Sequence, residues 1–165
     1  MPRLWMLMAL VLLSACQVTR MQPGIYSAEQ VRTLEENGFT RNGDDWELGF
    51  DNRVLFASDE SSLQPGQVAM LDRLGKALLA VGIRGARVAG HTDSTGSASH
   101  NESLSLRRAE SVKAAMVAAG MDSAAVRAIG MGARAPIESN DSAAGRLQNR
   151  RVVITVSPGD VVRLD

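Results

Sequence analysis

The chain has 165 residues, with 18 basic and 18 acidic side chains and a formal net charge of zero. That length suits one domain with a short extension, and the apolar residues, mostly Ala, Val and Leu, suffice for a core of about a hundred residues. The balanced charge argues against the strong positive field of nucleic-acid-binding proteins, so we expect no nucleic-acid partner.

The N-terminus is typical of an export signal. Arg3 precedes an apolar run from Leu4 to Leu13, which is too short for a lasting transmembrane helix, and the small residues Ser14 and Ala15 follow. The only cysteine, Cys16, comes next, so the chain cannot form an internal disulfide. Residues 1–15 are therefore predicted to be a signal peptide.

The string Leu13-Ser14-Ala15-Cys16 resembles the lipobox of bacterial lipoproteins. The resemblance implies that Cys16 is acylated, with palmitate among the acyl groups, and becomes the new N-terminus. Each buried acyl CH₂ contributes about 0.8 kcal/mol, so two or more chains form a durable anchor. Gln17 in place of Asp after the cysteine implies sorting to the outer membrane, facing the periplasm. The alternative is an ordinary signal peptide followed by a chance cysteine.

The segment that follows is predicted to be a tether, a helix and a hairpin. Residues 16–26 lack periodicity and form the tether. Ser27-Ala28-Glu29-Gln30 is a capping box, which with Gly38 predicts a helix over 28–37. Asn42-Gly43 is a hairpin turn signal, so we expect short strands at 39–41 and 46–50.

The rest of the chain alternates between strand and helix patterns. Pro65 is suited to open a helix, and Gly120 to close one. The order of elements predicts an α/β (α+β) sandwich, βαβαββ, in which helices pack on one face of a mixed sheet. We expect strands at 54–56, 87–91, 126–130 and 151–156, helices at 65–81 and 101–119, and a polar loop or short helix at 140–149.

One arginine of the second of these helices falls on its apolar face. On a helical wheel Arg107 points to solvent, whereas Arg108 lies between Leu104 and Val112. A charge that faces a core costs several kcal/mol unless it is paired, and we place Arg108 near the helix start, where the dipole is also unfavourable for a cation. Arg108 is therefore expected to have an acidic partner, an anionic ligand, or both.

Asp93 is the natural candidate for that partner. It follows a predicted strand, in a loop that leads back to the N-terminus of the helix, where free backbone N–H groups also favour an anion. One fixed anion and one fixed cation suit a small zwitterion, whose ammonium meets Asp93 and whose carboxylate takes the Arg108 fork. The alternative is an Asp93–Arg108 salt bridge that only joins loop to helix.

These residues belong to a set of motifs with a family resemblance. The motifs are GHTDSTG from Gly90, Asn101, LSLRRA from Leu104, GMGARAP from Gly130 and GRLQNRR from Gly145. Together they resemble the OmpA-like C-terminal domain, the peptidoglycan-binding module of outer-membrane porin tails, Pal lipoproteins and flagellar stator proteins. The match covers roughly residues 50–157. It departs at Ala133, where an acidic residue is common, and at Ser142, where Thr is common.

The resemblance implies a ligand and a set of binding residues. The ligand is the meso-diaminopimelate of the peptidoglycan stem peptide, whose free end carries one ammonium and one carboxylate. Asp93 and Arg108 are the implied key pair. The other implied residues are Thr92 and Asn101, which shape the pocket, Leu106 and the backbone at Gly96, which line it, and Arg150 or Arg151, which adds a second contact to the stem peptide unless it is merely solvated.

The N-terminal lead narrows the resemblance. The string SAEQVRTLEENGF from Ser27, Trp46 and the string ALLAVGI from Ala77 resemble the YfiB-type outer-membrane lipoproteins, whereas Pal lipoproteins usually lack this helix and hairpin. In that family the lipoprotein sequesters a periplasmic repressor, YfiR, and so activates a diguanylate cyclase that makes cyclic-di-GMP. A YfiR-type partner is thus implied, with 27–50 as its candidate surface. The alternatives are that 27–50 only caps the sheet edge, and that the protein is a Pal-like structural tether.

The predicted organisation has five parts. The expected partners of the protein are peptidoglycan, the repressor and, through Cys16, the outer membrane. Whether the protein also forms a homodimer is left undecided by the sequence. The parts are the signal peptide (1–15), the tether (16–26), the helix and hairpin (27–50), the OmpA-like domain (51–157) and a tail (158–165).

Enzyme chemistry is not expected. His91 and Asp93 have an H-x-D spacing, but His100 is the only other histidine, and zinc requires three or four ligands. The chain has no G-x-S-x-G nucleophile elbow of a serine hydrolase. We therefore predict a binding protein without metal, cofactor or catalytic residues.

Overall fold

The computed structural model describes residues 25–56 and 60–162. The predicted signal peptide, the lipobox at Cys16 and nearly all of the tether lie outside the described residues. Within those ranges, none of the helices is long and apolar enough to cross a membrane.

The described chain forms a mixed five-stranded sheet in the order β1-β2-β5-β3-β4, with β3 and β4 parallel and the other neighbours antiparallel. The sequence prediction of an α/β fold with a mixed sheet is confirmed. The elements are α1 (Ala28–Glu36), β1 (Thr40–Asn42), β2 (Asp45–Asp51), α2 (Asn52–Leu55), α3 (Pro65–Ala80), β3 (Ala86–His91), α4 (Ala98–Ala118), β4 (Val126–Gly132), α5 (Ala143–Asn149), β5 (Arg151–Val156) and a 3₁₀ turn (Pro158–Asp160).

Alternating side chains of the strands build the core. On β2, Trp46, Leu48 and Phe50 pair with Val156, Ile154 and Val152 of β5, so all six share one face of the sheet. All of them belong to or pack against the apolar core. The helices supply the other half of that core, through side chains that recur at helical spacing: Leu71, Leu74 and Leu78 of α3 and Val112, Ala115 and Met116 of α4.

Two glycines let α4 lie directly on the sheet. A Cβ at Gly90 of β3 would collide with the backbone of Ser105, and one at Gly130 of β4 would stand 2.7 Å from the carbonyl oxygen of Glu102. Neighbouring strands thus present bare backbone to the same helix. This close approach fixes the position of α4, and with it the side chains that α4 directs to the end of β3.

The predicted strand at 54–56 is wrong. Residues 52–55 form a helical turn, and Phe56 makes only an isolated bridge to Leu63. Asp51 ends β2 and caps the turn, because its side chain accepts a hydrogen bond from the Arg53 amide. The strand that opens the βαβαββ order is instead β2, so the predicted segment 27–50 contributes strands to the same sheet as the rest.

Most of the other predicted elements occur with shifted ends, whereas β5 occurs at 151–156 as predicted. The capping box of Ser27 and Gln30 opens α1 as predicted. Helix α4 begins at Ala98, earlier than the predicted 101, because Ser97 accepts a hydrogen bond from the His100 amide and serves as N-cap. The region 140–149, for which a loop or a helix was left open, contains α5.

The C-terminal segment packs back onto the domain. The Asp160 carbonyl accepts hydrogen bonds from the amides of Arg84 and Gly85. Gln30 of α1, only 2% exposed, donates to the carbonyls of Val81 (3.0 Å) and Val162 (3.2 Å). This single amide therefore joins the N-terminal helix, the end of α3 and the C-terminal segment.

Candidate functional site: a charged pocket at one end of the sheet

A cavity of about 870 Å³ opens at the end of the sheet where β3 stops, β2 stops and β5 begins. Its walls come from the turn after β2, the loop after β3, the first half of α4 and the junction between α5 and β5. Among the predicted site residues, those that line it are Thr92, Asp93, Gly96, Asn101, Arg108 and Arg150.

Asp93 supplies the negative charge of the pocket. One carboxylate oxygen accepts a hydrogen bond from the Thr95 amide at 2.8 Å, and the other accepts one from Arg150 Nη1 at 2.8 Å. Burial alone would raise the pKa of Asp93, but these hydrogen bonds and the Arg150 charge outweigh it and hold that pKa below its ordinary value. Asp93 is thus an anion at neutral pH.

Arg108 supplies a buried positive charge. It is 5% exposed and shares the inner face of α4 with Ser105, Ala109 and Val112, as the helical wheel predicts. Its Nε donates to the Glu60 carbonyl at 3.0 Å, and its guanidinium carbon lies 5.4 Å from the centroid of the Phe56 ring. An arginine at that distance gains a cation–π interaction.

Two details of the Arg108 prediction need correction. The expected position near a helix start is wrong, because Arg108 lies ten residues after Ala98 and the helix dipole acts mainly within the first turn. The ion pair that the structure records for Asp93 is with Arg150. Asp93 and Arg108 still line one cavity, as the interpretation of a paired-charge pocket requires.

Asn101 shapes the loop that carries Asp93. Its side-chain amide donates to the carbonyls of Asp93 (3.2 Å) and Thr95 (2.9 Å), so the first turn of α4 holds the loop from beneath. Gly96 has φ +89°, a conformation that glycine adopts without strain. The Thr92 amide donates to the Gly132 carbonyl at 2.9 Å, which ties the start of the loop to the end of β4.

Two predicted residues lie elsewhere. Leu106 is 40% exposed and sits against Gly130 of β4, and it is Leu104 that faces the cavity. Arg151 points away from the pocket, since its guanidinium donates to the Ala135 carbonyl at 3.2 Å. Of the two arginines that the sequence could not separate, the structure therefore places Arg150 at the site.

Sequence reasoning missed the contribution of α2. Asn52 is 5% exposed, its backbone amide donates to the Arg150 carbonyl, and its side-chain amide donates to the His91 carbonyl at 3.4 Å. Phe56 also lines the pocket. A polar residue directly after a strand was the available signal, but the strand wrongly predicted at 54–56 concealed it.

The H-x-D spacing of His91 and Asp93 raises the question of a metal site. His91 is buried, and burial together with the charges of Arg151 and Arg87 lowers its pKa to about 4. In the part of the chain that the structure describes, no group of three or more His, Cys, Asp or Glu side chains is arranged to hold a metal ion. The chemistry that the pocket offers is recognition of opposite charges at fixed positions.

Comparisons with known proteins give a consistent result. A model of the OmpA family matches residues 55–150. The outer-membrane lipoprotein YfiB of Pseudomonas aeruginosa is 43% identical over 151 residues, which cover 91% of this chain and 89% of that relative. The cell wall anchor of the T6SS from Pseudomonas aeruginosa superposes with a TM-score of 0.67 at 30% identity, covering 78% of this chain and 96% of that one.

A second solved structure has the same fold. The peptidoglycan-associated lipoprotein from Burkholderia pseudomallei superposes with a TM-score of 0.54 at 30% identity, covering 61% of this chain and 86% of that one. The described part of this chain is therefore similar, in sequence and in fold, to domains from proteins named for the bacterial envelope.

Proposed function

Because the chain belongs to the OmpA family and, within it, to the YfiB-type outer-membrane lipoproteins, we propose that it binds peptidoglycan non-covalently through the diaminopimelate of the stem peptide. The observation that carries the proposal is that a buried carboxylate, Asp93, and a buried guanidinium, Arg108, line the same open cavity. The names of the T6SS cell wall anchor and of the peptidoglycan-associated lipoprotein support the choice of ligand.

The free end of diaminopimelate matches the charges of the pocket. Its ammonium pairs with the Asp93 carboxylate, which keeps lone pairs to spare beside its bonds to Thr95 and Arg150. Its carboxylate takes the Arg108 guanidinium, whose planar fork suits a carboxylate. A cavity of about 870 Å³ lies within the range of small-molecule sites, so the zwitterionic end of the side chain fits with the peptide outside.

The first experiment is a pull-down on purified sacculi. Asp93→Asn and Arg108→Gln each remove one charge, and we expect each to weaken binding by about tenfold or more, because a charge-assisted hydrogen bond is lost. Arg107→Gln is the matched control, since Arg107 is the exposed neighbour on the same helix, and it should bind like the wild type. Wild-type binding by both pocket variants would refute the proposal.

The same assay tests which ligand group meets Arg108. Sacculi whose stem peptides carry lysine in place of diaminopimelate present an ammonium without the second carboxylate. The wild type should bind them far more weakly, and Arg108→Gln should no longer discriminate between the two kinds of sacculi. The proposed activity is binding without turnover, so incubation should release no soluble wall fragments.

The proposed cellular location rests on the lipobox-like N-terminus and on a relative. The relative from Pseudomonas aeruginosa is named an outer-membrane lipoprotein, and we place this chain in the same membrane, anchored through an acylated Cys16 and facing the periplasm. Cys16→Ser should abolish labelling with a radioactive fatty acid and release the protein from the membrane fraction. Labelling that persists in this variant would contradict acylation at Cys16.

A regulatory role is a second and more specific part of the proposal. The likeness to YfiB covers most of the chain, and on that basis we propose that the protein sequesters a YfiR-type repressor and so activates a diguanylate cyclase. The segment 27–50 is the proposed surface for the repressor. Within it, β1 is an edge strand whose residues are all exposed. Helix α1, which precedes β1 in the chain, presents Arg32 to solvent. The second candidate is a purely structural tether between outer membrane and wall.

Surface substitutions separate the two candidates better than deletion does. Deleting 27–50 would remove β2, which pairs with β5 over six residue positions, and would expose the core. Reversing the charge of Arg32 and Arg41 should leave the pairing of β1 with β2 intact, because both side chains are exposed and the only side-chain bond that either makes within the described residues is the exposed one from Arg41 Nε to the Gly43 carbonyl. In a regulator this change should abolish control of cyclic-di-GMP while sacculus binding persists. The control is Arg73→Glu, an exposed site on α3, and unchanged cyclic-di-GMP in both variants would favour the tether.

A further inference from the structure

The connection between β4 and α5 contributes nothing to the lining of the pocket, yet it is tightly organised from within. Asn149, fully buried at the end of α5, accepts hydrogen bonds from the amides of Ile137 (2.8 Å) and Glu138 (3.0 Å). The same side chain donates to the Glu138 carbonyl at 2.8 Å. Asn149 thus fixes the backbone of this connection against α5.

Asn140 links this connection to the pocket. Its side-chain oxygen accepts two hydrogen bonds, one from Asn149 Nδ2 and one from the backbone amide of Ser94, each at 3.1 Å. Its backbone carbonyl accepts a third, from Arg146 Nη1 at 2.7 Å. Ser94 directly follows Asp93, so the side chain of Asn140 bonds to the loop that carries the pocket carboxylate.

The Asp93 loop is therefore held from two sides. Asn101 of α4 holds its carbonyls, and Asn140 holds the amide of Ser94. Asn149, which bonds to both the connection and Asn140, directly precedes Arg150, the cation that pairs with Asp93. One network consequently fixes both members of the Asp93–Arg150 ion pair relative to each other.

We infer that Asn140 is a positioning residue of the ligand pocket, which acts only as a hydrogen-bond acceptor to hold the Asp93 loop in its binding geometry. The inference rests on the proposed function, because it concerns the same pocket. A loop that is already fixed loses less conformational freedom when a ligand binds, so its support raises affinity without touching the ligand. Both side-chain bonds of Asn140 use its oxygen, which makes the role testable by chemistry.

The test compares two substitutions at position 140 in the full-length protein, with meso-diaminopimelate as the titrated probe. Asn140→Asp keeps an acceptor oxygen and should bind within about twofold of the wild type, measured in about 0.5 M salt to screen the added charge. Asn140→Ala removes the acceptor and should weaken binding by about threefold to tenfold, the range for one lost hydrogen bond. Glu138→Gln is the control and should bind normally, because the side chain of this neighbour is exposed and the bonds that tie Glu138 to Asn149 use its backbone.

Hydrogen exchange gives a readout that a general loss of stability would not produce. The Ser94 amide should exchange faster in Asn140→Ala and at the wild-type rate in Asn140→Asp, with the strand amides of β3 unchanged in both. Wild-type affinity in Asn140→Ala, or equal weakening in Asn140→Asp and Asn140→Ala, would overturn the inference while leaving the proposed function standing. A wild-type protein that does not bind the probe would instead refute the proposed function, and the positioning role with it.

Discussion

The charged residues of the pocket differ in how much water they keep. The side chain of Asp93 is 8% exposed and that of Arg150 is 41% exposed, while Arg108 as a residue is 5% exposed. An ion pair with one exposed partner contributes modestly to stability. In the proposed complex, Arg150 would mainly orient the Asp93 carboxylate, and Arg108, the more desolvated cation, would make the stronger interaction with a ligand carboxylate.

His91 should make the stability of the protein depend on pH. Burial lowers its pKa in the folded state to about 4, whereas the unfolded chain titrates near 6.5. Between these values the unfolded chain binds a proton that the folded chain refuses, so stability is complete above about pH 6.5 and falls as the pH drops towards 4, by at most about 3 kcal/mol. Urea unfolding at a series of pH values measures this loss.

Two variants isolate that titration. His91→Gln removes the titrating group and should flatten the dependence within this window, even if its stability at neutral pH is lower. His100→Gln, at the exposed second histidine, should keep the wild-type slope. The lowered pKa values of Asp51 and Asp93 act at more acidic pH, outside this window. An unchanged slope in His91→Gln would show that another group is responsible.

At the scale of elements, local patterns predicted most of the fold and tertiary contacts decided the rest. The alternation in 151–156 and the spacing of Leu71, Leu74 and Leu78 depend on which face is buried, which a sequence reveals. Val-Leu-Phe at 54–56 has the composition of a strand, but β2 already occupies the place beside β5, and the chain turns into a capped helix instead. Position in the sheet overrode local propensity.

The same distinction applies to the pocket. Asp93 and Arg108 could be predicted, because a charge on an apolar helix face and a carboxylate after a strand are visible in the pattern. Asn52 was missed, because the strand wrongly predicted at 54–56 concealed its place directly after a strand, and its bonds to the carbonyls of His91 and Arg150 are visible only in the structure. The choice between Arg150 and Arg151 depended on where α5 ends, which no local signal fixed.

The contact between α4 and β3 gives a prediction at this scale. Gly90→Ala places a methyl group against the backbone of Ser105, and overpacking of this kind costs about 1–3 kcal/mol or more. We expect a lower free energy of unfolding, and weaker sacculus binding because α4 carries Asn101 and Arg108. Gly49→Ala on β2 is the matched control, since a Cβ added there would meet nothing within 4 Å, and it should be neutral or stabilising. Equal stability of the two variants would contradict the close packing.

At the scale of the whole molecule, the attachment point of the tether and the pocket lie at opposite ends of the sheet. Tyr26 packs edge-on against Trp46, with ring centroids 6.4 Å apart, and donates to the Val156 carbonyl. The pocket lies at the other end of β2 and β5, where Asp51 and Arg151 stand opposite each other in the antiparallel ladder. Strand geometry separates the two ends by about 20 Å. Under the proposed anchoring at Cys16, the domain would stand between membrane and wall with its pocket directed away from the membrane.

Tether length should then limit access to the wall. The nine peptide steps from Cys16 to Ile25 span at most about 32 Å when fully extended, so anchor and domain together reach about 50 Å from the membrane surface. Removing five residues from 17–24 should lower crosslinking of the protein to peptidoglycan in intact cells, and a flexible insertion of ten Gly and Ser residues at the same place should restore it. Binding of all three proteins to purified sacculi in detergent should be equal, because the pocket is untouched. Crosslinking that does not change with tether length would mean that the distance to the wall does not limit binding in cells. Unequal binding in detergent would mean that the tether contributes to the pocket itself.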